Sequence, residues 1–108
     1  MTKTDKKIDK QICQVLTRVC ETVKIEVEGF QWLTHFVDYN QFPASLSIIC
    51  IFSSKDELEK TRKNMKDQFI SELVKTELEQ INIKLKNINQ HILFNTENDF
   101  KSAQNKFN

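Results

Sequence analysis

The chain has 108 residues, 39% hydrophobic and 29% charged, which is the size and balance of one globular domain and excludes a disordered chain. With one glycine and one proline, it lacks the turn residues of an all-β fold and the glycine-rich loops that cradle phosphates. Sixteen basic residues against fifteen acidic ones give a formal charge of +1, so no dominant polyanionic partner is advertised.

Residues 5–27 read as a helix. Ile8, Ile12, Val15, Leu16, Val19 and Val23 fall on one stripe, Thr4 or Asp5 can cap the start, and Gly29 offers a left-handed exit. Residues 31–39 are rich in aromatic and β-branched types and predict a strand. Trp32 and Phe36 lie on one face of it, and Leu33, Val37 and Tyr39 on the other. Residues 46–52 are apolar on both faces and predict a central strand, antiparallel to the first because the connection is short.

Ser54 and Glu57 form a capping-box signature for a second helix. Its apolar pattern runs to Ile81 but thins between Leu58 and Met65, where a kink or two shorter helices would fit. Residues 82–96 alternate, and predict either one strand after a bridging segment or a small hairpin. The whole is an α+β two-layer domain over residues 1–96. It has the order helix-strand-strand-helix-strand, with a mixed three-stranded sheet and helices on one face. Residues 97–108 are polar apart from Phe100 and Phe107 and read as a mobile tail.

Three cysteines, Cys13, Cys20 and Cys50, do not make a disulfide framework. Cys13 and Cys20 stand about 10 Å apart along a helix. No apolar leader or membrane-length run is present, which predicts a cytoplasmic protein without a membrane partner. No catalytic motif is found. His35 could face Cys50 across the strand pair, although simple packing is the plainer expectation, and Asp38, Glu97 and Asp99 are scattered. The expectation is therefore a non-enzymatic module with no catalytic residue, metal, cofactor or small-molecule substrate.

Two surfaces stand out. Lys60, Arg62, Lys63 and Lys66 make the most cationic helical stretch and are candidate phosphate contacts. Fourteen lysines against two arginines weigh against a dedicated base reader. Trp32, Phe36 and Tyr39 are candidates for an interaction surface, since a sheet covered on one side leaves a face for a partner or a second copy.

The runs Thr4-Asp5-Lys6-Lys7-Ile8, Val19-Cys20-Glu21-Thr22, Gly29-Phe30-Gln31-Trp32-Leu33-Thr34-His35 and Asn89-Gln90-His91-Ile92 resemble a small family of bacterial proteins. Some members of that family are labelled Fis-family transcriptional regulators. This resemblance covers most of the chain and implies a DNA-binding regulator. The order of elements, with Phe69-Ile70-Ser71-Glu72-Leu73 and Ile92-Leu93-Phe94, is similar to ribosome-binding factor A and its KH-like fold. That resemblance implies RNA contact near the break between two helices, where this chain has Met65-Lys66-Asp67-Gln68. Contact with RNA or the ribosome is the favoured expectation, homodimerisation or protein binding through the strand aromatics the second, and DNA binding the third.

Overall fold

A computed structural model describes residues 2–105 of the chain. Helix α1 (Lys3–Glu26) is followed by strands β1 (Phe30–Phe36) and β2 (Ser47–Phe52), helices α2 (Lys55–Lys63) and α3 (Lys66–Glu79), strand β3 (Ile92–Thr96) and helix α4 (Glu97–Asn105). The sheet order is β1-β2-β3, with β1 antiparallel and β3 parallel to β2. This is the mixed three-stranded α+β fold that the sequence predicts, with the apolar second strand at its centre. No described helix is long and apolar enough to cross a membrane.

Helix α1 starts earlier than the spacing suggests. Its cap is Thr2, not Thr4 or Asp5. The Thr2 hydroxyl accepts from the Asp5 N–H at 3.1 Å, and the Asp5 carboxylate accepts from the Thr2 N–H at 3.3 Å. The two bonds satisfy backbone donors that the first turn leaves open. After α1, Gly29 takes a φ of +87°. The Ser54 hydroxyl accepts from the Glu57 N–H at 3.2 Å, as half of a capping box. The Glu57 side chain packs over the bare Gly29 backbone, where an added Cβ would lie 2.5 Å from Glu57 Cβ.

The thin stretch of the apolar pattern is a true break. Helix α2 stops at Lys63, Met65 is left-handed at φ 60°, and α3 begins at Lys66. Of the two readings of residues 82–96, the bridged single strand is the one found. Asn82 turns the chain at φ 64°, the Ile83 N–H returns to the Leu78 carbonyl at 3.0 Å, and a short 3-10 turn precedes β3.

The core lies between α1, α3 and one sheet face. Ile12, Val15, Leu16, Val19 and Val23 meet Ile70, Val74 and Leu78 over Phe30, Ile48, Cys50, Phe52 and Ile92. A bulge between Phe30 and Trp32 lets both large rings be used. Phe30 pairs with Phe52 on the core face, and Trp32 pairs with Ile51 on the outer face. Residues 97–105 of the expected polar tail are helical, and α4 covers one end of that outer face. Its Phe100 ring meets Trp32 edge-on at 5.2 Å, and Ile51 is wholly buried. Residues 106–108, including Phe107, lie outside the described residues.

Candidate functional site

The basic stretch sits on the break between α2 and α3. Lys60, Arg62, Lys63 and Lys66 are all exposed, and among the described residues none of the four is in an ion pair. Lys60, Arg62 and Lys63 fill the last turn of α2, where cations are favoured by the carbonyl end of the helix. Lys66 is partly engaged. Its ammonium donates to the Glu26 carbonyl at 3.0 Å and ties the start of α3 to the end of α1. Arg62 borders a cavity of about 260 Å³ together with Glu59 and Asp99, so its surroundings are of mixed charge.

The three candidates for an interaction surface fall in two places. Trp32 is half-buried against Phe100, while Phe36 remains 52% exposed on the same outer face. On that face Leu93 is 54% exposed, two strands away. Tyr39 lies beyond β1 in a 3-10 turn, stacks obliquely on Phe42 at 5.6 Å and points its hydroxyl at α1.

That hydroxyl leads to a polar cluster which inspection of single segments misses. Asp9 and Cys13 stand one turn apart on α1, and β1 lays His35 beside them. Asp9 Oδ1 accepts from the Tyr39 hydroxyl at 2.7 Å and lies 3.1 Å from His35 Nε2. The ligand atoms of Asp9, Cys13 and His35 all lie within 4.8 Å of one another. The four-residue spacing of Asp9 and Cys13 and the presence of His35 on a strand are each visible in the sequence. That α1 crosses β1 at this point is not.

Electrostatics follow the geometry. The Tyr39 and His35 hydrogen bonds hold the Asp9 carboxyl below its ordinary value, against a smaller opposing effect of burial. Burial raises the Tyr39 phenol, and the Asp9 bond and charge raise it further. Burial, helped by the Asp9 charge, also raises the Cys13 thiol. His35 is level with Ile48 and turns to Asp9, so no thiol–imidazole pair with Cys50 forms. Cys50 is fully buried, and desolvation pushes its thiol up to about 12, which makes it an inert packing residue. His91 Nδ1 lies 2.7 Å from the Leu46 carbonyl, joining the entrances of β2 and β3.

The cluster stands where two surface cavities meet. One, of about 740 Å³, is bordered by Asp5, Asp9, His35, Asp38 and Tyr39. The other, of about 480 Å³, is bordered by Cys13, Cys20, Leu33 and His35. Chemically, the arrangement tethers α1 to β1 and gathers one oxygen, one nitrogen and one sulfur donor at an accessible point. Comparison of the chain with family models, curated proteins and solved structures finds no match in any of the three.

Proposed function

We propose that the protein is a non-enzymatic cytoplasmic binding module that contacts RNA, free or on the ribosome, through the turn between α2 and α3. The observation that carries this reading is the exposure of Lys60, Arg62, Lys63 and Lys66 within seven residues of a turn whose backbone is set by Met65. A cationic turn of fixed shape suits phosphate oxygens, which demand charge more than sequence-specific chemistry. The helix-strand-strand-helix-helix-strand order that precedes α4, similar to that of ribosome-binding factor A, supports RNA over DNA. The test is anisotropy of a labelled single-stranded RNA at several salt concentrations, beside duplex DNA of the same sequence. Affinity for RNA falls steeply with salt, and Lys60→Ala with Lys63→Ala lowers the log–log slope by about 1.4. Salt-insensitive or absent binding overturns the reading. Tighter binding to duplex DNA moves it to a DNA-binding regulator.

A second reading, self-association, rests on Phe36 and Leu93, which leave one half of the outer sheet face open beside α4. Light scattering at twice the monomer mass, returned to monomer by Phe36→Ser, would establish it. A monomer at all concentrations ends it.

A further inference from the structure

We propose that Asp9, Cys13 and His35 form a binding site for a divalent transition-metal ion of the zinc class. This goes beyond the RNA reading and does not depend on it. The donors come from two elements. Asp9 and Cys13, four residues apart, share a face of α1, and His35 reaches them from β1. Their ligand atoms all lie within 4.8 Å of one another.

Bond lengths decide whether one ion can reach all three. Zinc bonds to oxygen and nitrogen at tetrahedral angles set an O–N edge of about 3.4 Å, and the longer zinc–sulfur bond sets edges of about 3.6 Å to sulfur. His35 Nε2 and Asp9 Oδ1 are 3.1 Å apart, close to the first edge. With separations of at most 4.8 Å, the Cys13 sulfur needs to close by no more than about 1.2 Å to reach the second. Cys13 is exposed, so rotation of its side chain supplies that movement.

The donor types select the ion. Magnesium and calcium take oxygen ligands, whereas a mixed sulfur, nitrogen and oxygen set suits zinc or cobalt. The Tyr39 hydroxyl on Asp9 Oδ1 holds the carboxylate in place, the kind of outer support that metal ligands use, and Oδ2 accepts no hydrogen bond among the described residues. Three protein ligands leave one position for water or a further ligand, and Asp9 and His35 both border the cavity beside Asp5 and Asp38. On binding, the ion replaces the His35–Asp9 contact with a bond to each atom. The Cys13 thiol gives its proton to solvent, and His35 gives up the Nε2 proton that faced Asp9 and keeps the neutral ring protonated on Nδ1.

The test is titration of the full chain with cobalt(II) chloride, free of competing thiols. One equivalent produces a thiolate-to-cobalt charge-transfer band with the visible bands of a four-coordinate ion, and added zinc removes both. Cys13→Ser abolishes the charge-transfer band, Cys20→Ser leaves it, and His35→Ala or Asp9→Asn weakens apparent affinity by about tenfold or more. Circular dichroism of each variant confirms that it is folded. A wild-type chain without the band, or a Cys13→Ser chain that keeps it, overturns the proposal and leaves Asp9, His35 and Tyr39 as a tether between α1 and β1.

Discussion

The Tyr39 hydroxyl donates to Asp9 Oδ1 across 2.7 Å and thirty positions of sequence, fastening the turn after β1 to the first half of α1. Together with His35 on the same oxygen, it lowers the Asp9 pKa from its ordinary 3.8. A carboxyl with a depressed folded pKa contributes stability above its unfolded value and loses it as pH falls through the folded one. Tyr39→Phe removes the largest cause. Asp9 then titrates nearer 3.8 by NMR, and stability at neutral pH drops by about 1 kcal/mol. This is below the usual figure for a charged acceptor because the Asp9 side chain is 34% exposed. The deficit shrinks on acidification to about pH 2, as pH falls toward the folded Asp9 value and the carboxyl takes up its proton. A deficit unchanged between the two pH values in urea unfolding would refute the assignment.

The same bond acts in the opposite direction on the phenol. Burial and then the Asp9 bond raise Tyr39 above its ordinary 10.0. A raised pKa contributes stability that is complete below pH 10.0 and is lost as pH climbs through the folded value. Tyr39 is the sole tyrosine, so an ultraviolet phenolate titration reads it alone. The midpoint lies above 10.0, and Asp9→Asn moves it down. A midpoint at 10.0 in the folded wild type would contradict the geometry.

Phe100 holds α4 on the outer sheet face through its edge contact with Trp32. Phe100→Ala removes that cover while leaving the core between α1, α3 and the sheet intact. The single tryptophan then reports the change, with emission shifted to longer wavelength and quenching by iodide increased. Far-ultraviolet dichroism falls only by the share of one short helix. Unshifted emission would mean that α4 contributes nothing to shielding Trp32.

How much of this was legible depends on the range of the interaction. The α1 stripe from Ile12 to Val23 and the doubly apolar run at Ile48–Phe52 are local patterns, and they placed the first helix and central strand within two residues. The break at Met65 was visible as a missing stretch of apolar residues. Helix α4 was not, because Phe100 is its main visible anchor and its partner Trp32 lies far back in sequence. The Asp9 cluster was hidden for the same reason. Spacing shows that Asp9 and Cys13 share a helix face, but only the crossing of α1 over β1 supplies His35 and Tyr39.

Gly29 is the one glycine, and two independent constraints require it. Its φ of +87° is strained for any L side chain, and a Cβ there would meet Glu57 Cβ at 2.5 Å. Gly29→Ala costs about 2–4 kcal/mol, from left-handed strain plus overpacking, and lowers the melting temperature by roughly 10–20 °C. Glu57→Ala does not rescue it, since the nearest clash is with Cβ and alanine keeps that atom. Full rescue by Glu57→Ala would show that the flexible end of the glutamate, not its Cβ, sets the constraint.

Lys66 and Lys63 flank the same turn but carry different loads. The Lys66 ammonium caps the Glu26 carbonyl at the end of α1, whereas among the described residues Lys63 makes no such bond. Lys66→Ala therefore lowers stability by about 0.5 kcal/mol, the size of a cation lost from a helix carboxyl end, and frays the last turn of α1. Lys63→Ala leaves stability unchanged. Toward single-stranded RNA the two behave alike, each reducing the salt slope by about 0.7. Thermal unfolding and salt-dependent anisotropy on the same two variants separate a capping role from a binding role. Equal thermal shifts would remove Lys66 from the cap, and an unchanged slope for both would remove the turn from the RNA contact.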